Sequence, residues 1–454
     1  MNADVIVLGG GPGGYLAAER AAQGGLNVLL FEKRTLGGTC LNEGCIPSKV
    51  FLNSAKLYHH AKESAEFGVI AESVKFDHTT VLRHKNKTVK TLVSGVGSAM
   101  KMNKVQVIMA EGKILKKTTD GFVVEAEGEK YIGKKLVLAC GSVPVVPSIK
   151  GLQEGLDSGF VMTNREILDI EKLPQSLVII GGGVIGLEMA SYFNAAGVEV
   201  TVIEMMDKIA GSMESEISAE LLKTYKKRGI VFKLGCQVTE IEKNGVKYEE
   251  AGMSNMIATD AVLCAIGRKA RIQNVGLEKI DVYTEHGAVV TDEHMQTNVP
   301  GVYAVGDING KIMLAHTAYR EAEVAVNHML GKKDYMRYRA IPSVIYTDPE
   351  VASVGETEES AKAKGICTKS IKVPMRFSGR YLAEVPKGNG FCKLIVDQKK
   401  NSLIGIHMIG SYTSEMIFGA ALMIEKEMSV DHIKELVFPH PTVSEVIREG
   451  LFEI

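Results

Sequence analysis

The sequence predicts an α/β protein built from two copies of one strand–glycine turn–helix unit, with a separate α+β unit at its C-terminal end. Three observations carry that expectation. The stretch ADVIVLGGGPGGYLAAERAAQGGLNVLLFE recurs later as SLVIIGGGVIGLEMASYFNAAGVEVTVIE. Between them, GGTCLNEGCIPSK sets two cysteines close together. From about Ala340 the texture changes to strand-like runs, CKLIVD and SLIGIHMIG, and then to helix-like EMIFGAALMIEKE. At 454 residues the chain is too long for one ordinary domain and suggests about three.

In the first copy an apolar strand enters a turn marked by Gly9, Gly11 and Gly14, a helix pattern follows, and a second strand ends at Glu32. The second copy repeats this with Gly181, Gly183, Gly186 and Glu204, and the acid stands equally far from the first glycine in both. A lone motif of this kind also occurs as a plain tight turn. Two copies, each with its strand, its helix and an acid about twenty residues on, read as Rossmann-like dinucleotide-binding units. The glycines let the backbone approach a pyrophosphate at the helix N-terminus, and the carboxylate accepts hydrogen bonds from ribose hydroxyls.

Cys40 and Cys45 lie among Gly37, Gly38, Asn42, Glu43 and Gly44, which make poor core. The pair sits where a loop enters the helix pattern VFLNSAKLYHHA, with Cys40 expected in the loop and Cys45 on the first turn. Free N–H groups and the helix dipole favour a thiolate at such an entry. Cys140, Cys236, Cys264, Cys367 and Cys392 are scattered singly, so no metal site is expected. An odd, dispersed set of cysteines does not make a secreted disulfide framework, which favours a catalytic dithiol and the cytoplasm. Electrons moving between two thiols and a nicotinamide need a relay, usually flavin. FAD is therefore assigned to the first unit and a nicotinamide to the second. MMDKIAGSMESE, after Glu204, offers no arginine for a 2′-phosphate, which selects NAD.

Further on, TNVPGVYAVGDING reads as a short strand ending at Gly306 and Asp307, followed by helix-like HTAYREAEVAVNHML. In ELVFPHPTVSEVIREG, His440 is held between Pro439 and Pro441, and Glu445 follows after a helix start at Thr442 or Ser444. An imidazole with a carboxylate in reach is what a general base needs, although a structural histidine has the same local look. With 53 Lys and Arg against 54 Asp and Glu, no basic field points to nucleic acid. No signal segment is read at the N-terminus, and glycine or charge interrupts every apolar stretch too early for a membrane span.

Taken together, GGGPGG, GGTCLNEGCIPSK, GGGVIGLE, VYAVGDI and HPTVSE make the chain resemble, over nearly its whole length, the class I FAD/NAD-linked pyridine nucleotide-disulfide oxidoreductases. Within that family it looks like the dihydrolipoamide dehydrogenase group. The resemblance implies an FAD-binding segment at 1–148 with the redox disulfide, an NAD-binding segment at 149–269, a second FAD-binding, central segment at 270–339 and a dimerisation domain at 340–454. It implies one tight, non-covalent FAD per subunit and NAD as co-substrate. Cys45 would lie against the flavin and Cys40 would exchange with substrate. His440 would be the base, oriented by Glu445 and acting across a homodimer. Lys49 would pair with Glu188 beside the flavin, Gly306 and Asp307 would hold its ribityl side, and the helix start at Leu314 and Ala315 would face its pyrimidine side. Glu188 and Gly267 would join the NAD site.

The implied reaction oxidises protein-bound dihydrolipoamide and reduces NAD⁺. Its partner would be the lipoyl-bearing E2 component of a 2-oxo-acid dehydrogenase complex or a glycine-cleavage H-type protein, since no lipoyl domain is read in this chain. Two positions depart from the family pattern. Glu43, between the cysteines, should disfavour a thiolate, and Cys140 stands where threonine is usual and reads as a packed neutral thiol. The rival readings are an NAD(P)H-dependent reductase of the glutathione or mercuric type, against which Glu204 and the lack of a C-terminal cysteine pair speak, and a non-catalytic flavin-binding interaction protein.

Overall fold

Residues 2–454 are described by a computed structural model. The first unit opens with β1 (Asn2–Leu8), α1 (Pro12–Gln23) and β2 (Val28–Phe31), followed by α2 (Gly38–Glu43), α3 (Cys45–Glu63), α4 (His78–Met102) and β3 (Gln106–Ile108). An antiparallel run of β4 (Lys113–Thr118), β5 (Gly121–Ala126) and β6 (Glu129–Leu138) completes its N-terminal part. These strands form one sheet in the order β3-β2-β1-β6-β5-β4. β6 has two partners along its outer edge: its first half pairs with β5, and Leu136–Leu138 pairs in parallel with the late strand Val302–Ala304. The sheet is therefore built from two distant stretches of chain. β1 and β2 are apolar runs rather than alternating ones because parallel strands here are covered on both faces.

The second unit holds five parallel strands in the order Val231–Leu234, Glu199–Glu204, Ser176–Ile180, Ala261–Cys264 and Val161–Met162. Its glycine turn copies the first. Gly9 and Gly181 have φ of +106° and +107°. A Cβ on Gly14 would stand 1.8 Å from the Gly9 oxygen, and one on Gly186 would stand 2.1 Å from the Gly181 oxygen. Only glycine allows that approach of helix to strand.

The C-terminal sheet is antiparallel, in the order Ser343–Ile345, Val351–Gly355, Ser402–Ile409, Phe391–Asp397 and Thr368–Pro374. Cys392, Leu394 and Val396 face the helices Thr413–Glu425 and Glu445–Phe452, while Phe391 and Ile409 face the core of the second unit. Coverage on both sides explains why all seven residues of Phe391–Asp397 are buried. Lys393, buried among Glu214, Glu216 and Glu358, fastens this sheet to the second unit. Their oxygens form the one metal-like acidic cluster among the described residues, and the ammonium already occupies it.

Two local expectations need correction. Cys40 is not in a loop: α2 forms a short helix around it, entered through Gly37 and Gly38, both at positive φ. The strand before Asp307 ends at Ala304, and Gly306–Asn309 is a single 3₁₀ turn. That turn lets the backbone reverse into helix Ala315–Met329.

Candidate active site

Both nucleotide helices begin without a side-chain cap, at Gly11 and Gly183, so their first N–H groups face outward. A Cβ on Gly183 would meet nothing within 4 Å, and one on Gly11 only the Gly38 Cα at 3.8 Å. The acids are placed alike. Glu32 accepts from the Gly10 N–H at 2.8 Å and the Arg34 N–H at 2.8 Å; Glu204 accepts from the Gly182 N–H at 2.6 Å and the Met206 N–H at 2.8 Å. Each carboxylate is thus tied beside its glycine turn, as a dinucleotide's ribose and pyrophosphate require. Met205, 65% exposed, flanks Glu204. Changing Glu204→Ser together with Met205→Arg is expected to shift kcat/KM from NAD toward NADP by roughly ten- to a hundredfold, the scale of charged hydrogen bonds lost and gained. Comparing both coenzymes at equal concentration checks it. Gly267, at φ +122°, follows the strand Ala261–Cys264, and its carbonyl accepts from the Val145 N–H at 3.0 Å.

Cys45 is the first residue of α3, behind an N-cap, Gly44, that offers no side chain. Cys40 reaches it from α2, and the two thiols share a hydrogen bond. Cys45 is held below the ordinary thiol range, first by that bond and also by Lys49 and its own N–H; burial opposes these. Cys40 is pushed far up by the same bond, by burial and by the charge on Cys45. One proton between two sulfurs therefore rests on Cys40, leaving Cys45 as the thiolate.

Lys49 Nζ lies 3.0 Å from each carboxylate oxygen of Glu188 and 4.3 Å from the centroid of the Tyr346 ring. The Tyr346 N–H also donates to Glu188, at 3.0 Å. This meeting depends on α3 crossing helix Val184–Ala195, where the rings of Phe51 and Tyr192 stack with centroids 4.3 Å apart. The dithiol helix is thus bolted to the helix of the second nucleotide unit. Glu188 sits on the buried face of that helix, so its charge needs Lys49.

A polar chain connects Asp307 to the dithiol segment. Ser142 Oγ donates to Asp307 at 2.5 Å, Arg268 Nε donates to Ser142 Oγ at 2.7 Å, Arg268 Nη1 to Asn164 at 3.1 Å, and Asn164 Nδ2 to the Glu43 carbonyl at 2.7 Å. Gly306, at φ +74°, donates its N–H at 2.6 Å to Glu321, a fully buried acid on helix Ala315–Met329 that also accepts from the Tyr338 hydroxyl at 2.7 Å. The same helix starts at Ala315 with Leu314 as an uncapped N-cap, so its amino end is free beside the Gly306–Asp307 turn. Sequence reading missed Ser142, Asn164, Arg268 and Glu321. Glu321 had a signal, an acid within the apolar stripe Ala318, Ala322 and Ala325. The Asp307 carboxylate, the uncapped helix ends and the buried Asn309 Nδ2 without a partner suit a flavin nucleotide with polar groups along its length.

Glu43 does not act as expected. Its carboxylate is taken up by Arg34 at 2.7 Å and Arg165 at 2.9 Å, and it is not among the groups that chiefly move either thiol. Glu43→Val is therefore expected to leave the acid titration of the Cys45 thiolate unchanged while costing stability, about 0.2–1 kcal/mol for each partly exposed pair. Thermal melts and an absorbance titration check this. Cys140 is a packed thiol, pushed up to about 11 by burial, with its sulfur 3.5 Å from the Leu8 carbonyl.

His440 makes no hydrogen bond to the thiols of its own chain. Its Nδ1 lies 2.8 Å from Glu445 Oε1, and Oε2 of the same carboxylate accepts from the Thr442 N–H at 2.9 Å. The backbone bond and then the imidazole hold Glu445 below the usual carboxylate range. The His440 side chain is 79% exposed, and the hydrogen bonds of this pair stay within its own loop. Nε2 is left facing outward from the C-terminal unit.

Residues 3–322 match the sequence profile described as pyridine nucleotide-disulphide oxidoreductase, and residues 341–451 match that family's dimerisation domain. The chain belongs to the pyridine nucleotide-disulphide oxidoreductase family. Relatives in it include dihydrolipoyl dehydrogenase of Bacillus subtilis (strain 168), 39% identical over 98% of this chain and 97% of that protein. The mitochondrial dihydrolipoyl dehydrogenase of Pisum sativum is 36% identical over 98% and 90%. The leghemoglobin reductase of Glycine max is 36% identical over 98% and 86%. Among solved structures, LpdA from Mycobacterium tuberculosis superposes with a TM-score of 0.90 at 23% identity, covering 99% of each chain, which speaks for the fold. As a family member the protein is an FAD-containing, NAD-linked oxidoreductase and a homodimer. Among the described residues no helix is long and apolar enough to cross a membrane.

Proposed function

We propose that this disulphide oxidoreductase is a dihydrolipoyl dehydrogenase, oxidising protein-bound dihydrolipoamide to lipoamide and reducing NAD⁺ to NADH. The observation that carries the reading is the thiol pair, with Cys45 as the favoured thiolate and Cys40 protonated beside it, in a chain whose full-length relatives bear that name. Glu32, the Gly9–Gly14 turn, Gly306, Asp307, Ala315 and Lys49 hold FAD; the Gly181–Gly186 turn, Glu188, Glu204 and Gly267 hold NAD. Bound FAD supplies two-electron transfer between thiolate and nicotinamide.

The protein's own groups do the rest. His440 of the partner subunit removes a proton from the substrate dithiol, and Glu445 fixes its tautomer and stabilises the imidazolium. The substrate thiolate attacks the Cys40 sulfur of the oxidised pair, and the broken bond's electrons stay on Cys45. Lys49 and the amino end of α3 stabilise that thiolate. Glu188 keeps Lys49 in place.

This reading keeps boundaries at 148, 269 and 339, and it is supported by a five-stranded parallel sheet drawn from 161–264 and an antiparallel sheet drawn from 343–409. The lipoyl group would arrive on an E2 component or a glycine-cleavage H-type protein, in the cytoplasm. The test is NADH formation by the purified holoenzyme with dihydrolipoamide and NAD⁺, beside NADPH oxidation with glutathione disulfide. Turnover only in the second assay would replace this reading with the glutathione-reductase one.

A further inference from the structure

The chain leaves the first sheet after Leu138, builds the second sheet, and returns to the first at Val302. The outgoing and returning stretches run side by side. Ser142–Pro144 pairs antiparallel with Arg268–Ala270, placing Arg268 opposite Pro144 and Ala270 opposite Ser142. Backbone bonds extend this ribbon at both ends, from the Val145 N–H to the Gly267 carbonyl at 3.0 Å and from the Arg271 N–H to the Gly141 carbonyl at 2.9 Å. The ribbon is the joint between the two nucleotide units.

Arg268 reaches out from that joint and is half-buried. Its Nε and Nη2 close on Ser142, on Oγ at 2.7 Å and on the carbonyl at 3.0 Å, while Nη1 donates to Asn164 Oδ1 at 3.1 Å. Because Ser142 Oγ accepts from Arg268, its own proton is committed to Asp307 Oδ2, 2.5 Å away. Because Asn164 Oδ1 accepts from Arg268, its amide turns Nδ2 to the Glu43 carbonyl, 2.7 Å away. Asn164 is buried, which fixes that amide further. Glu43 ends α2 and stands two residues before Cys45, which opens α3.

One guanidinium thus orients a carboxylate on one side and the turn before the dithiol helix on the other. A lysine ammonium has no planar fork to serve both directions. Burial opposes the charge on Arg268, and Asp307 and then Glu43 are the charges that favour it. Reacting groups lose rate steeply when they are misplaced by even 1 Å or so, so the spacing of flavin and thiol must be set by something rigid. We infer that Arg268 is a positioning residue of the step between thiol and flavin: it holds Asp307 through Ser142 and the turn before Cys45 through Asn164. The inference rests on the reading above that Asp307 holds FAD.

The test uses the full chain with Ser142→Ala, Asn164→Ala, Arg268→Lys, Arg268→Met and, as a control, Asp307→Ala. Measured are the FAD dissociation constant of the deflavinated protein, KM for NAD⁺ and, in a Cys40→Ser background at saturating FAD, the strength of the long-wavelength absorption of thiolate beside flavin. Ser142→Ala and Arg268→Met are each expected to weaken FAD binding by roughly ten- to a hundredfold, the scale of one hydrogen bond to a charged group. Combined, they should be no worse than the worse single change, because both act on Asp307 through one chain of bonds. Asn164→Ala should keep FAD binding within about twofold of wild type and weaken the absorption, since only the branch to the dithiol turn is cut. Arg268→Lys keeps the charge without the fork and should restore at most one of the two readouts. Ser142→Ala and Asn164→Ala each remove one small polar group, so they decide the matter even where Arg268→Met does not fold. FAD binding at the wild-type level in Ser142→Ala, or an unchanged absorption in Asn164→Ala, would overturn the inference. So would full rescue by Arg268→Lys, or a rise in KM for NAD⁺ as the sole effect of Arg268→Met, which would assign the arginine to the coenzyme site. If Asp307→Ala binds FAD like wild type, the reading of Asp307 falls and the inference with it. If it loses FAD while the Ser142 and Arg268 variants keep it, only the inference falls.

Discussion

Cys40→Ser is expected to abolish dihydrolipoamide turnover and, in the same purified protein, to give a long-wavelength absorption band in the absence of any reductant. Without its partner Cys45 cannot form a disulfide, so it stays a permanent thiol at the amino end of α3 with Lys49 beside it. Part of the stabilisation of its thiolate is lost, because the hydrogen bond from Cys40 comes first among its causes. The helix end and Lys49 remain, and serine can still donate. The band should therefore be present at neutral pH and fade as acid protonates Cys45, since a thiol lowered below its ordinary range keeps its charge until pH falls through the lowered value. Cys45→Ser should be equally inactive but without the band, because Cys40 lies off the start of α3, and burial and Asp307 still oppose a charge on it. One spectrum of each aerobically purified variant decides. A band in Cys45→Ser alone would exchange the roles of the two sulfurs, and a band in neither would remove the pair from the flavin.

His440→Gln should lower dihydrolipoamide oxidation by roughly 10²–10⁴, the range of general base catalysis. FAD content and NADH–ferricyanide turnover should hardly change. The split between the two assays follows from position: the imidazole bonds only to Glu445, lies mostly in solvent and makes no hydrogen bond to the thiols of its own chain. The same exposure predicts a thermal stability within about 0.5 kcal/mol of wild type, as for surface substitutions that remove no buried group. Because the site is expected to form across the dimer, mixing inactive Cys45→Ser with inactive His440→Gln subunits should restore activity in hybrid dimers. A rate within a few-fold of wild type for His440→Gln would take it out of the mechanism.

Much of the site was legible because its parts are local. A glycine turn between strand and helix, an acid after the next strand, a cysteine at a helix start and a histidine five residues before a carboxylate are each written within a few tens of residues. Even the hydrogen bonds of Glu32 and Glu204 to Gly10 and Gly182 follow from the shared unit. Cys40 went wrong for a local reason: six residues that begin with Gly38, behind Gly37, carry too little periodicity to read as a helix. Glu43 went wrong because its effect depends on two arginines, and Arg165 is brought in from a distant stretch of chain.

By itself, then, the sequence determined the two glycine-turn units, the thiol pair and the histidine–glutamate pair, because each is encoded by spacing along one short stretch of chain. Tertiary structure alone decided what meets across stretches. Lys49 and Glu188 are 139 residues apart, Ser142 and Asp307 are 165 apart, and Tyr15 and Tyr319 are 304 apart. No periodicity of helix or strand fixes such pairs. They depend on how α3 crosses helix Val184–Ala195, how strand Val302–Ala304 joins β6, and how α1 packs on helix Ala315–Met329. Those crossings are set by the fit of whole buried faces, Phe51 on Tyr192 among them. The preference for a proton on Cys40 rather than Cys45 is decided partly the same way: the bond between the thiols and the nearness of Lys49 to Cys45 are local, but the burial of the pair and the charge of Asp307 beside Cys40 come only once the layers have closed.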